Sequence, residues 1–253
     1  MDIMATDNTL FPLKRDPCVH VVVYSGGMDS FTLLRYTIAQ LMQEGDSLMA
    51  LSFDYGQRHR RELEVAKKVC RKLGVAHHVI DLSTLRPLLP GSALTDKQVD
   101  VPHGHYEAES MKKTVVPGRN TLMLSIALAA AEGQLMRDDG QRRHNAYIYF
   151  GAHAGDHHIY PDCRPQFVAK LADAFREASE GRVMLMAPFE GLTKGGILGV
   201  GATYAGLVAL DYADTHTCYE GTLPPCGKCG ACQERAEAFA LHSWEDPLVP
   251  VEF

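Results

Sequence analysis

The sequence predicts an α/β protein with an open, mainly parallel sheet of five strands and helices on both faces. Two observations predict this class: β-branched apolar segments alternate with helical patterns, and their spacing suits right-handed crossovers between parallel strands. The 253 residues suffice for one such domain with a small appendage. We expect an N-terminal extension over 1–17, the main domain over 18–212 and a C-terminal segment over 213–253.

Strands and helices alternate in the first half of the chain. The predicted order is strand 19–24, helix 31–43, strand 48–53, helix 60–73 and strand 75–82. The second helix repeats apolar residues on one face and is followed by Gly74, a common helix stop. Residues 83–114 have no sustained period and contain several prolines, so we expect a long loop or lid.

The second half continues the alternation. The predicted order is helix 120–132, strand 146–150, helix 165–179 and strand 183–186. Residues 193–212 have a helical apolar pattern but contain five glycines, each costing a helix interior about 0.8 to 1 kcal/mol relative to alanine.

The segment Ser-Gly-Gly-Met-Asp-Ser at 25–30 connects the first strand to the first helix. Its glycines permit an anion-binding turn of backbone amides, to which the helix N-terminus adds its positive dipole end. Ser25 and Ser30 offer hydroxyl donors, and Asp29 offers a ligand for magnesium. The segment lacks the Walker and dinucleotide patterns. We interpret it as a pyrophosphate site for ATP; the alternative is a tight strand-to-helix turn.

Two further polar, glycine-containing segments follow strands of the predicted sheet. Residues 54–57 follow the second strand and residues 151–156 follow the fourth. In an open parallel sheet, ligands bind outside the carboxyl ends of the strands. This convergence favours a nucleotide site over a simple turn.

Composition and charge indicate a globular protein with a small-molecule substrate. The formal net charge is −6 and the pI is near 6.0, which disfavours direct nucleic-acid binding. The basic clusters at 58–61 and 137–143 are expected to be solvated surface. Residues 1–17 lack a signal-peptide pattern and no apolar run is long enough for a membrane span, so we expect a cytoplasmic location.

Four cysteines lie within fifteen residues near the C-terminus: Cys218, Cys226, Cys229 and Cys232. Four such donors suit tetrahedral zinc, and a complete set of protein ligands predicts a structural ion. An iron-sulfur cluster and four unbound thiols are the alternatives. We expect the tail to be otherwise poor in core residues. The other cysteines fit core or site positions: Cys18, Cys70 and Cys163.

The motifs occur in the order of one known family. After the glycine loop come Phe-Asp-Tyr-Gly-Gln-Arg-His at 53–59, Val-Pro-Gly-Arg-Asn at 116–120, Tyr-Pro-Asp-Cys-Arg-Pro at 160–165 and the cysteine tail. Over about residues 19–239 the chain resembles the 7-cyano-7-deazaguanine synthase family of ATP pyrophosphatases. The resemblance implies an adenine nucleotide alpha hydrolase-like fold.

The resemblance also implies a reaction, its cofactors and a quaternary structure. ATP and ammonia would convert 7-carboxy-7-deazaguanine through an adenylate and an amide to the nitrile, releasing AMP and pyrophosphate. ATP would bind with magnesium, zinc would be structural and the protein would be a homodimer. Free ammonia is the expected nitrogen source.

Residue roles follow from the same resemblance. ATP would contact Tyr24, Ser25, Gly26, Gly27, Met28, Asp29, Ser30, Phe53, Asp54, Tyr55, Arg119 and Asn120. The catalytic residues would be Asp29, Ser30, Arg119 and Lys194, and the substrate would contact Asp156, Asp162 and Arg164.

Simpler interpretations of these residues exist. Asn120 is an alternative helix N-cap, and Lys194 an alternative surface lysine. Asp162 and Arg164 would otherwise form a loop salt bridge. Three histidines at 153, 157 and 158 are expected to be exposed or to face substrate rather than to bind metal.

The chain departs from the family pattern at two segments, 151–160 and Gly195-Gly196. Three other functions therefore stay open. The enzyme would stop at the amide or transfer the activated deazaguanine elsewhere, the chain would be a non-catalytic nucleotide sensor, or it would thiolate RNA. The acidic charge disfavours the last.

Overall fold

The computed structural model describes residues 15–106, 108–137 and 143–249, and its sheet has five strands that all run parallel. The spatial order is β3-β2-β1-β4-β5. The strands are β1 Cys18–Val23, β2 Ser47–Asp54, β3 Ala76–Asp81, β4 Asn145–Tyr149 and β5 Val183–Met186. The predicted fold class is confirmed. Most of the predicted extension over 1–17 lies outside the described residues.

Six α-helices connect or follow these strands in the described part of the chain. They are α1 Met28–Tyr36, α2 Arg61–Leu73, α3 Arg119–Arg137, α4 Pro165–Ala178, α5 Lys194–Ala205 and α6 Gly230–Leu241. A π-helical turn, Thr37–Leu41, extends α1. The described part of residues 83–114 forms two short 3-10 helices, Ser83–Leu88 and Glu109–Thr114, joined by turns.

Helix α1 begins three residues earlier than the sequence pattern suggests. Gly27 has extended backbone angles and forms the N-cap, so Met28, Asp29 and Ser30 form the first helical turn. The predicted loop at 25–30 is therefore half loop and half helix. Its last three residues are held by helical geometry, which fixes the direction of the Asp29 and Ser30 side chains.

Each face of the sheet is covered by its own helices and core. Successive residues of β1 point to opposite faces, so Val21 belongs to the core with Leu124 of α3, whereas Val22 belongs to the core with Leu34 of α1. Strand β1 is almost completely buried because both faces are covered. This burial accounts for the largely apolar segment 18–23, in which His20 is the one polar residue and is itself buried.

The glycine-rich segment forms helix α5, which ends at Gly206 with φ of +62°. A Cβ at Gly201 would lie 2.6 Å from the hydroxyl of Tyr212, and one at Gly195 would lie 2.5 Å from Leu241 Cδ2. The glycines permit close packing against neighbouring segments. Close packing offsets the cost of glycine in a helix.

The C-terminal segment shares the core of the main domain, so the expectation of a core-poor tail is wrong. Phe239 of α6 is 2% exposed and its ring contacts those of Tyr212 and Trp244. Arg235 is also buried and forms an ion pair with Asp246, with a distance of 2.7 Å from Nε to Oδ2. Helix α6 also packs against α5, where Leu241 lies beside Gly195. Among the described helices, none is both long and apolar enough to cross a membrane.

Candidate active site

A cavity of about 210 Å³ opens at the carboxyl ends of β1, β2 and β4, where a parallel sheet binds ligands. Most of the predicted site residues line it. They are Tyr24, Ser25, Gly27, Asp29, Ser30, Phe53, Tyr55, Arg119, Asn120, Asp156 and Lys194. One cavity therefore brings together four motifs that are far apart in the sequence.

Hydrogen bonds among its own residues hold the glycine loop in place. The backbone N–H of Ser25 donates to Ser30 Oγ at 3.2 Å, and Ser30 Oγ donates to the carbonyl of Gly27 at 3.1 Å. Gly27 caps α1 without a side-chain hydrogen bond, which leaves first-turn amides for an anion. The geometry suits a pyrophosphate group.

Two loop residues have structural positions behind the cavity. Gly26 has φ of +96°, and a Cβ there would lie 2.2 Å from the backbone oxygen of Glu62. Only glycine fits this turn against α2. Met28 is fully buried in the core beneath α1. Their predicted contacts with ATP stay predictions.

Lys194 is buried, so its interpretation as a surface lysine is wrong. Its Nζ lies 2.6 Å from Glu234 Oε2 and 3.2 Å from Asp29 Oδ2. Burial by itself lowers the pKa of Lys194, but the two carboxylates hold the pKa above its ordinary value. The lysine is therefore a fixed positive charge beside the phosphate loop.

His153 is also buried, at 2% exposure, and it lines the cavity. Its Nδ1 accepts a hydrogen bond from the backbone N–H of Gly155 at 3.1 Å, which leaves Nε2 to face Asp29 and Asp156 at 3.8 and 3.6 Å. The sequence predicted that this histidine is exposed or faces substrate. His153 is not exposed, and its position in the cavity lining leaves the second alternative. His153 extends the charged cluster around Lys194.

Arg119 lies across the cavity at the start of α3. Its guanidinium carbon is 5.7 Å from the ring centroid of Tyr55 and 5.9 Å from that of Tyr160. Its Nε donates to Asn120 Oδ1 at 3.2 Å. Two aromatic faces and one amide thus hold a second cation opposite Lys194.

The N-cap interpretation of Asn120 is wrong because Asn120 lies inside α3. Its side-chain Nδ2 donates to Cys163 Sγ at 3.3 Å. The backbone N–H of Asn120 instead donates to Asp162 Oδ2 at 3.3 Å, so Asp162 serves the free end of the helix. Cys163 is buried and lines the cavity.

Besides Gly26 and Met28, three predicted ligand-binding residues do not line this cavity. Asp162 contacts α3 as described, and Arg164 is exposed and donates through Nε to the carbonyl of His157 at 2.9 Å. The alternative salt bridge between Asp162 and Arg164 does not form. Asp54 lines a neighbouring cleft and pairs with Arg60. Their substrate and ATP contacts stay predictions.

Several cavity residues were not predicted from the sequence, chiefly Glu62 and His59, which are 8% and 6% exposed. Burial raises the pKa of Glu62 to about 8, against the opposing influence of Gln57 and Arg119. Burial also lowers the pKa of His59 to about 3. The basic cluster at 58–61 is therefore not all solvated surface. The available signal was the position of His59 in the 53–59 motif.

The four cysteines converge into one cluster. Their sulfur atoms all lie within 4.8 Å of one another, and Cys226 Sγ is 3.9 Å from Cys232 Sγ. Backbone N–H groups of Cys226 and Cys229 donate to cluster sulfurs at 3.4 Å each. Four convergent sulfurs with amide donors are an arrangement that suits a metal ion. Helix α6 begins inside this cluster, at Gly230.

The parallel sheet, the phosphate loop and the charged cavity together define an ATP-using enzyme of the ATP pyrophosphatase class. A family model described as queuosine biosynthesis protein QueC matches residues 19–243. The chain belongs to this family, and the resemblance stated from the motifs is confirmed.

Curated relatives match along most of the chain. A 7-cyano-7-deazaguanine synthase of Psychromonas ingrahamii is 49% identical over 228 residues, and 7-cyano-7-deazaguanine synthase 1 of Colwellia psychrerythraea is 50% identical over 228 residues. Each alignment covers 90% of this chain and 96% of the relative. The solved NMN synthetase of Francisella tularensis is 12% identical, with a TM-score of 0.43, over 91% of this chain and 79% of that one.

Proposed function

We propose that the protein converts 7-carboxy-7-deazaguanine and ammonia to 7-cyano-7-deazaguanine, using two ATP and releasing AMP and pyrophosphate. The observation that carries the proposal is the cavity itself. It joins a phosphate-binding loop to two cations, the buried Lys194 and the half-buried Arg119, in a chain whose curated relatives are named for this product. An anionic substrate and a polyphosphate both suit such a cavity.

The phosphate loop would hold ATP with its α-phosphorus facing the cavity. Amides at 25–30 and the hydroxyls of Ser25 and Ser30 would bind the departing pyrophosphate. Asp29 would hold the magnesium ion, because its buried Oδ1 has no hydrogen-bond partner among the described residues. Magnesium bound there would reduce the charge on the phosphates.

The first half-reaction forms an acyl adenylate. A carboxylate oxygen of the substrate attacks the α-phosphorus, and pyrophosphate leaves. Ammonia then attacks the acyl carbon, and AMP leaves to give the amide. Lys194 and Arg119 would stabilise the negative charge that develops on the transferring oxygens.

The second half-reaction activates the amide in the same site. The amide oxygen attacks the α-phosphorus of a second ATP, and pyrophosphate leaves. The nitrogen then gives up both of its protons, and the bond from carbon to the AMP oxygen breaks with its electron pair leaving on AMP, which forms the nitrile. Both halves need positioning and charge stabilisation rather than a protein nucleophile. One cavity with one phosphate loop therefore serves both.

Zinc is the metal that we propose for the cysteine cluster. Four cysteine sulfurs fill a tetrahedral coordination sphere and leave no position for an activated water molecule. The ion would be structural and would hold the start of α6. Metal analysis of the purified protein distinguishes zinc from an iron-sulfur cluster.

The proposal also covers the assembly of the enzyme, its nitrogen source, its partners and its location. We expect a homodimer, free ammonia as nitrogen source, no direct contact with nucleic acid or membrane, and a cytoplasmic location. Sedimentation velocity measures the assembly, and omission of ammonium from the assay tests the nitrogen source.

Product analysis tests the function. The protein is incubated with 7-carboxy-7-deazaguanine, ammonium chloride, magnesium and ATP, and the products are separated and identified by mass spectrometry. We expect nitrile and AMP, both lost in Asp29→Asn but retained in Asp173→Asn, an exposed carboxylate on α4. Binding of ATP without AMP release would instead indicate a nucleotide sensor.

A further inference from the structure

The proposed reaction requires a proton acceptor at the nitrogen atom. When ammonia adds to an acyl adenylate, its lone pair forms the carbon–nitrogen bond and the bond from carbon to the AMP oxygen breaks, with its electron pair leaving on AMP. The nitrogen then carries a positive charge until one N–H proton is removed. The acceptor must be a basic group that faces the cavity.

Three carboxylates line the described cavity, and two of them have committed partners. Asp29 pairs with Lys194 at 3.2 Å, and Asp156 accepts a hydrogen bond from the hydroxyl of Tyr106 at 2.8 Å. The third is Glu62. Its Oε1 accepts a hydrogen bond from Gln57 Nε2 at 3.1 Å, whereas Oε2 accepts none from any described residue.

Glu62 is also held directly behind the phosphate loop. Its backbone oxygen occupies the space where a side chain at Gly26 would lie, with 2.2 Å between that oxygen and an ideal Cβ. The first turn of α2 therefore packs against the residues that would grip pyrophosphate. An acyl group attached to the α-phosphorus would lie within the same small cavity as the Glu62 carboxyl group.

The neighbouring groups suit proton uptake. The titratable or charged side chains facing Glu62 are Tyr55 after β2, His59 before α2 and Arg119 of α3. Burial opposes the charged carboxylate and raises its pKa, so the ionised form of Glu62 is a stronger base than an ordinary glutamate, and the fraction in that form increases as pH rises toward 8. His59 Nε2 lies 3.5 Å from Glu62 Oε1, which places a polar neighbour beside the acceptor.

We propose that Glu62 is the general base that removes the proton from the ammonia nitrogen as the amide forms. The inference rests on the proposed function and assigns this step to one side chain. The proton moves from nitrogen to a Glu62 oxygen, the amide is left neutral, and Glu62 later releases the proton to solvent. No further reactant is needed.

The test separates adenylation from attack by ammonia. Wild type, Glu62→Gln, Glu62→Asp and the control Glu64→Gln, an exposed position on the same helix, are compared. The first assay follows 7-carboxy-7-deazaguanine-dependent exchange of labelled pyrophosphate into ATP. The second measures amide plus nitrile formed with ammonium, and the third measures hydroxamate formed with hydroxylamine. Hydroxylamine is unprotonated near neutral pH and its adduct loses a proton to water more readily than the ammonia adduct, so hydroxamate formation depends less on a protein base.

We expect Glu62→Gln to keep pyrophosphate exchange and hydroxamate formation but to lose ammonia-dependent product by about 100-fold or more. Glu62→Asp should recover part of that loss, and Glu64→Gln should behave as wild type. Equal losses in all three assays, or unchanged ammonia turnover in Glu62→Gln, would overturn the role of Glu62. Absence of exchange and product in wild type would instead overturn the proposed function, and the inference with it.

Discussion

Lys194 Nζ and Glu234 Oε2 lie 2.6 Å apart in a buried ion pair between α5 and α6. Lys194 faces the phosphate loop through Asp29, and Glu234 lies two residues after Cys232 of the cysteine cluster. The pair therefore links the cysteine cluster to the reaction cavity. This contact makes the C-terminal segment part of the active-site structure.

Removal of the Glu234 charge should leave the Lys194 side chain less firmly held in its position. We expect Glu234→Gln to reduce the free energy of unfolding by about 1 to 3 kcal/mol, because a buried charge loses a charged hydrogen-bond partner. Turnover should also fall, since Lys194 loses one of its two fixed anions. Denaturant unfolding and a steady-state assay measure both effects. Glu237→Gln, on the exposed side of α6, is the control; equal effects at the two positions would contradict the linkage.

Loss of the metal site should disturb the cavity, because α6 connects the two. We expect Cys229→Ser to lose bound metal and to reduce both the thermal midpoint and the turnover, because α6 begins at this cluster. Cys70→Ala changes a buried cysteine in the α2 core and should keep its metal. The metal content of each variant is measured by mass spectrometry, and the turnover of the two variants is compared. Full turnover in metal-free Cys229→Ser would contradict a structural role for the ion.

Gly26 and Gly74 form a matched pair for testing the phosphate loop. Both have positive φ, but a Cβ at Gly26 meets the Glu62 backbone, whereas one at Gly74 meets nothing within 4 Å. Gly74→Ala should cost about 1 to 2 kcal/mol of stability and keep activity. Gly26→Ala should destabilise more and abolish AMP release, because the loop must shift. An active Gly26→Ala variant would contradict this requirement, because it would show that the loop can bind ATP in another backbone conformation.

The buried Glu62 should make stability depend on pH. Its pKa in the folded protein is about 8, above the ordinary value of 4.5, so the folded state binds more protons than the unfolded state between these values. Wild type should lose stability as pH rises across this window, by at most about 1.4 kcal/mol per pH unit. Urea unfolding from pH 5 to 8 measures the slope. The slope should be smaller in Glu62→Gln, and equal slopes would contradict the burial argument.

Sequence patterns predicted the sheet and its loop, because strand burial and glycine turns are local properties. The order of motifs also identified the family. Contacts formed only in three dimensions were missed: the Lys194–Glu234 pair joins residues 40 positions apart. Likewise, the burial of Glu62 depends on the loop that packs against it, and its place in the predicted helix 60–73 gives no indication of that burial.

The predicted site and the observed cavity differ most in the segment that follows β4. The motif at 160–165 indicated Asp162 and Arg164, but Asp162 contacts the start of α3 and Arg164 bonds a loop carbonyl. A helix-terminal contact of this kind depends on how α3 packs beside the loop. Residue type and spacing do not contain that information.

The most direct measurement is the identity and stoichiometry of the products from 7-carboxy-7-deazaguanine, ammonium and ATP. Mass spectrometry with quantification of AMP gives both. The proposed function predicts the nitrile, with two AMP released for each nitrile formed. Accumulation of the amide with one AMP per turnover, or no AMP release at all, would contradict it.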